Sequence, residues 1–280
     1  MFFFEKKNQK TFATWRRAGE RHAQNIKSFL LLFFKKEALA LILISAAALP
    51  PAARPYSRMD LPWWRARFAA KQAELRQGKV DLIWLGDSIT QNFETAGPEP
   101  WRNYQPIWQK FYAPFHAVNL GFKGDATAHL LWRMTHGELD GIHPRLAIIL
   151  IGANNFGHLH WPAEPTLVGI ETVVATLRAR LPETKILLLG VLPSMRSAWV
   201  DANTLAVNRD LAARFGHVPN VTYRDLSSLF MKNGHVDPDD FEDPHLSPPD
   251  PPLHPSAQTQ ARMAEAIEPV VRQLMGDRAR

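Results

Sequence analysis

No cysteine occurs in this 280-residue chain. Disulfide frameworks, thiolate metal sites and a cysteine nucleophile are thereby excluded. Long apolar runs are lacking too. Ala38–Leu49 (ALALILISAAAL) spans twelve residues, short of the roughly 20 that cross a bilayer comfortably. Net charge is missing from most of the chain. Nine of the 33 Lys and Arg and three of the 27 acidic residues lie in residues 1–37, which leaves 24 of each in residues 38–280. The net +6 is therefore a property of the first segment. The rest offers no broad basic footprint for a nucleic acid.

What is present first is a leader. Basic residues run into the apolar stretch, and Ala46-Ala47-Ala48 supplies an A-x-A cleavage site, the pattern of a signal peptide. Residues 1–53 are expected to direct export, to the periplasm or the medium, and to be dispensable for catalysis. An uncleaved membrane tether stays open, as does an amphipathic helix on a cytoplasmic protein. Pro50–Pro62 is rich in Pro and Ala and reads as a linker, so 54–79 is expected to be linker plus a lead-in helix that begins near Trp63-Trp64. Residues 80–276 form the expected globular domain, and the 46% hydrophobic content suffices for one large core.

Short apolar runs bounded by Gly or Pro punctuate that domain: Val80–Leu85, Ala117–Leu120, Leu146–Ile151, Ile186–Val191 and a weaker Val221–Tyr223. Such runs fit buried parallel strands. Helical periods lie between them at Thr127–Leu139, Val168–Leu181, Asn203–Phe215 and Pro255–Leu274, the last with Ser256 placed to cap it. Strand–helix alternation implies a parallel sheet covered on both faces. Ligands then bind beyond the carboxyl ends of the strands.

Four strand-end segments carry candidate chemistry. Gly86-Asp87-Ser88 follows the first strand, where a serine hydroxyl faces the active edge beside helix N–H groups; an ordinary helix-capping serine is the plain alternative. Gly121 to Gly124 follow the second, and glycine lets a backbone N–H approach a substrate oxygen, although a simple turn would look the same. Gly152-Ala153-Asn154-Asn155 follow the third, where an amide can donate to an oxyanion or merely form a turn. His254 stands directly before the final helix, within reach of the first strand's serine or alone on the surface.

Together these segments resemble the SGNH (GDSL) hydrolases, nearest in pattern to platelet-activating-factor acetylhydrolase catalytic subunits. The likeness covers about Val80 to Leu274. It is strongest through Asn119-Leu120-Gly121, Gly124-Asp125, Leu131-Trp132-Arg133, Gly137-Glu138-Leu139, Pro144 and Gly152-Ala153-Asn154-Asn155. The resemblance implies a three-layer α/β/α fold of flavodoxin-like order with five parallel strands. It implies Ser88 as nucleophile, His254 as base, and an oxyanion hole of the Ser88 N–H, the Gly124 N–H and the Asn154 amide, with no metal or organic cofactor.

One position departs from the pattern. The family's acid stands three residues before the histidine, and Pro251 is there; Asp250 lies four before and is the expected acid. A backbone carbonyl in its place would leave a Ser–His dyad. The rival Glu242-Asp243-Pro244-His245 has an acid three before a histidine, but His245 leaves nine residues before Pro255, so His254 is preferred. Asp87, Asn155, His158, His160 and Trp161 are expected to contact substrate, the last three from the loop 156–165. His158 and His160 lack the third ligand a metal would need. The expected substrate is a short-chain, acetyl-type ester. An acylated glycan is the first candidate, a small lipid or lysophospholipid the second, and a non-catalytic carbohydrate-binding protein on the same fold is the reading of another class.

Overall fold

The computed structural model describes residues 49–276. The apolar runs become strands because both of their faces are covered. β1 (Leu82–Gly86), β2 (Ala117–Gly121), β3 (Leu146–Leu150), β4 (Lys185–Leu189) and β5 (Val221–Arg224) form one parallel sheet in the order β2-β1-β3-β4-β5. Leu82 stands opposite both Ala117 and Leu146, and Ile186 opposite Val221. The sequence places all five strands within two residues of their observed ends, and the flavodoxin-like order is as expected.

The helices in chain order are α1 (Pro62–Gln77), α2 (Ser88–Gln91), α3 (Gln105–Phe111), α4 (Thr127–Thr135), α5 (Ala153–Gly157), α6 (Ala163–Arg180), α7 (Ala198–Phe215) and α8 (Ala257–Met275). Side chains alternate across a strand. Ile83, Leu85, Ala147, Ile149, Ile186 and Leu188 therefore share one core with Leu130 of α4, Val173 of α6 and Leu211 of α7. Leu82, Trp84, Ile148 and Leu187 point the other way, into a second core with Ile107 of α3 and Met263 and Ile267 of α8. Burial of each such side chain stabilises the fold by about 1.5–3 kcal/mol. α8 starts where the Ser256 side chain accepts the Thr259 N–H, and ends at Gly276 in the left-handed region (φ 69°). No helix among the described residues is long and apolar enough to cross a membrane.

Two expectations need correction at the N-terminal side. Pro50–Pro62 is not a free linker. Ala52 and Ala53 are buried, Thr127 Oγ1 donates to Ala52 O at 2.7 Å, and Tyr56 N donates to Ala128 O at 3.0 Å. The arm lies along α4 and α6, where Gly169 has no side chain and lets Ala52 O approach to 2.7 Å from a would-be Cβ. Its prolines fix an extended course without needing N–H partners, which is why the composition reads as linker. A boundary at residue 53 would consequently cut through packed structure. The expected leader, residues 1–48, lies outside the described residues.

Candidate functional site

Ser88 is the first residue of α2, immediately beyond β1. The capping position is held by Asp87, whose carboxylate accepts the Ile89 N–H at 3.0 Å, so the Ser88 hydroxyl is not spent on the helix end. The end of β2 runs tightly against this turn. A Cβ on Gly121 would lie 2.8 Å from Asp87 O, so only glycine fits. Asn119 fixes the same junction, donating to Thr90 O at 2.7 Å and accepting from Gly121 N at 2.9 Å. That is the physical content of the Asn-Leu-Gly motif. Gly124 follows at φ +72°, a left-handed conformation glycine adopts without strain.

Asn154 sits in the first turn of α5, beyond β3. Its Nδ2 donates to Asp125 O at 2.9 Å, which fixes the amide's orientation, and its second contact is a long 3.4 Å one to Asp87 Oδ2. Behind this loop lies a buried ionic network. Asp125 accepts from Trp64 Nε1 (2.8 Å), Arg58 Nη1 (3.0 Å) and Arg133 Nε (2.9 Å), and Arg133 also reaches Glu138. Arg133 stacks 4.0 Å over the Phe122 ring. These contacts explain why Gly-Asp, Trp-Arg and Gly-Glu segments recur as a set: they hold the loop that carries Gly124.

On the far side, His254 Nε2 is 3.0 Å from Ser88 Oγ. Its Nδ1 lies 2.7 Å from Oδ1 of Asp243, not of Asp250. Asp250 is exposed, and only its backbone N–H, bonded to Asp243 O at 3.1 Å, touches this region. The expected acid is thus corrected to Asp243, eleven residues before the histidine. The cause is backbone pairing: Phe241 bridges Pro255 and Glu242 N donates to His254 O at 2.8 Å, so the loop folds back and lays Asp243 beside the ring. Asp243 Oδ2 then accepts the N–H groups of Leu253 (2.7 Å) and His254 (2.6 Å). The neighbouring Glu242 is an anchor, accepting Tyr104 Oη at 2.7 Å. His245 stacks on Trp101, away from the serine.

Charge follows from these contacts. Burial would raise the Asp243 carboxyl, but the hydrogen bond and charge of His254 with the two N–H groups bring it below the ordinary carboxylate range. Burial would likewise lower His254, yet the hydrogen bond and charge of Asp243, with smaller help from Glu242 and Asp87, raise it above the ordinary 6.5. Burial pushes Asp87 up to about 7, opposed by the Ile89 N–H and by His254.

Two expected substrate contacts are corrected. Asp87 is 1% exposed and committed to the helix cap. Asn155 is fully buried, and its amide both accepts from Thr127 N (3.1 Å) and donates to Thr127 Oγ1 (2.8 Å), tying α5 to α4. His158, His160 and Trp161 lie in the segment that follows α5, with His158 and His160 exposed and His160 stacked on the exposed Trp199. Burial, then the charges of Arg196, Arg58 and His254, lower His158. Among the described residues no group of three His, Asp or Glu could hold a metal ion. Arg58 and Arg196 near the site had no sequence signal, since one sits in an apparent linker and the other in a plain loop.

The GDSL-like lipase/acylhydrolase family model matches residues 84–262. The chain is similar to platelet-activating factor acetylhydrolase IB subunit alpha2 of Gallus gallus, 27% identical over 80% of this chain and 92% of that protein, and to the Rattus norvegicus protein of that name, 30% identical over 65% and 76%. Among solved structures, a GDSL-like lipase from Bacteroides thetaiotaomicron superposes with a TM-score of 0.58 at 16% identity, over 74% of this chain and 97% of that one. A carbohydrate esterase family 3 protein from Talaromyces cellulolyticus does so with 0.51 at 18%, over 71% and 100%. These two establish the fold. With its sheet order, strand-end serine and family match over most of the described residues, the chain is a carboxylic ester hydrolase that belongs to the GDSL-like lipase/acylhydrolase family.

Proposed function

We propose that Ser88, His254 and Asp243 act as nucleophile, general base and orienting acid in hydrolysis of a short-chain, acetyl-type ester. The observation that carries this is the continuous chain of contacts from Ser88 Oγ to His254 Nε2 (3.0 Å) and from His254 Nδ1 to Asp243 (2.7 Å). Ser88 Oγ attacks the carbonyl carbon as its proton passes to Nε2, and the imidazolium is stabilised by the Asp243 charge. The oxyanion takes hydrogen bonds from the Ser88 N–H, the Gly124 N–H and the Asn154 amide. His254 returns the proton to the departing alcohol. It then deprotonates the water that releases the acid from Ser88. A non-catalytic binding protein would have no need for this alignment.

Asn154→Ala is expected to lower kcat by about 10²–10³-fold, the usual cost of one lost oxyanion donor. A raised KM at unchanged kcat would instead restrict Asn154 to ground-state binding.

The relatives named as acetylhydrolases support an acetyl leaving acid. An acylated glycan is our first substrate, supported by the exposed Trp199 ring beyond Asn154 and its stacked His160; a small lipid ester is the second. Acetylated oligosaccharides assayed beside acetylated glycerolipids decide between them, and exclusive turnover of the lipids would overturn the glycan reading. Export is proposed from the basic-then-apolar leader; recovery of the intact full-length chain in the cytoplasmic fraction would overturn it.

A further inference from the structure

We infer that Arg196 selects esters whose alcohol part carries a carboxylate or phosphate. This rests on the esterase reading above and names the substrate class of that same site. Arg196 lies in the loop between β4 and α7. Its guanidinium lies against the backbone of Gly157, where any Cβ would collide with it. Gly157 ends the helix that carries Asn154. The preceding residue, Met195, donates its N–H to Pro252 O at 2.9 Å, two residues before His254. The guanidinium is thereby held between the Asn154 wall and the His254 loop, on the side where the alcohol departs after taking its proton from Nε2.

Its charge is unspent. Arg196 Nη1 is buried without a hydrogen-bond partner, and among the described residues no carboxylate lies within ion-pair distance of it. The other cations and acids near the cleft are committed. Arg58 pairs with Asp125, which also holds Arg133, and Asp243 holds His254. Glu242 holds Tyr104 and Arg102. A buried guanidinium N–H left unpaired costs free energy, and an anionic ligand group removes that cost with a charge-assisted hydrogen bond. Arg58 cannot serve equally, because its charge is already met by a buried carboxylate.

The test compares kcat/KM for meta-acetoxybenzoate with that for meta-acetoxybenzamide, two acetyl esters of nearly equal shape that differ in charge. A third substrate, meta-acetoxyphenyl phosphate, distinguishes carboxylate from phosphate. The expected charged-to-neutral ratio is about ten to one hundred, the worth of one charge-assisted bond. In Arg196→Gln the ratio falls to within about threefold of one, and Arg196→Lys retains part of it. Arg209→Gln, which removes a charge from the solvent face of α7, keeps the wild-type ratio. A wild-type ratio near one, or a ratio unchanged in Arg196→Gln, overturns the inference while leaving the esterase reading intact. An Arg196-dependent preference for phenyl hemisuccinate over phenyl butyrate, with none among the acetyl esters, places the anion on the acyl side and overturns it too. Failure to cleave any of these esters removes the esterase reading itself.

Discussion

Ser88→Ala is expected to lower kcat for para-nitrophenyl acetate by about 10⁵–10⁶-fold, the scale on which a nucleophile or its base is missed in a Ser–His–Asp site. The change removes the atom that bonds to the acyl carbon and leaves the oxyanion donors in place. His254→Ala should cost about as much, and the double variant little more than either, because the two groups act as a unit. Folding should be spared. The helix cap beside Ser88 is Asp87, and Ser88 Oγ has only His254 as hydrogen-bond partner. Matching melting curves for the variant and the parent would exclude a structural cause. Turnover above about a tenth of the parent rate in Ser88→Ala would mean that another residue is the nucleophile. Incubation of the parent with a fluorophosphonate should place the adduct on Ser88, an independent check on the same assignment.

How much of this was legible in the sequence depended on the range of the contact. β1 to β4 were visible because parallel strands buried on both faces read as unbroken apolar runs. Ser88, Gly124, Asn154 and His254 were visible because each sits at a strand end or a helix start, a place that local pattern defines. The failures come from long-range pairing. Asp243 was hidden by the return of the loop, whose excursion 244–252 is closed by the Glu242–His254 and Phe241–Pro255 backbone contacts. Spacing from the histidine says nothing of such a closure. The available signal was the acidic pair Glu242-Asp243 after an apolar Phe241, which is a weak one. Pro50–Pro62 was misread for a related reason: its packing on α4 and α6 uses alanine methyls and backbone groups, Ala52 O and Tyr56 N, which composition does not reveal. Asp87 and Asn155 were misassigned to substrate because motif membership cannot separate a residue that touches ligand from one that holds the frame.

Asp243→Asn is expected to lower kcat by about 10⁴-fold, the loss known for a triad whose acid becomes an amide. The reasons are geometric and electrostatic together. Asp243 Oδ1 accepts from His254 Nδ1, which keeps the Nε2 lone pair directed at Ser88, and its charge stabilises the imidazolium that forms during attack. An asparagine amide turned with its NH₂ toward the ring would hold the wrong tautomer. Its Oδ1 is nevertheless able to keep the N–H groups of Leu253 and His254 satisfied, so the loop should remain folded. Asp250→Asn, at an exposed side chain, should change kcat by less than about threefold, within what a surface substitution does. The pH profile gives a second reading. Catalysis needs neutral His254, so kcat/KM falls as pH drops through the imidazole pKa of the free enzyme. Asp243 is the main group that raises that pKa above 6.5, against burial that lowers it. The acid limb should therefore lie above 6.5 in the parent and move to lower pH in Asp243→Asn. Glu242→Gln is the discriminating control. It removes a charge one residue away while keeping a partner for Tyr104 Oη, and should leave most of kcat in place. Equal losses in Asp243→Asn and Glu242→Gln would show that the loop's charge or order matters and that no single carboxylate orients the histidine. A large loss in Asp250→Asn with none in Asp243→Asn would overturn the Asp243 assignment.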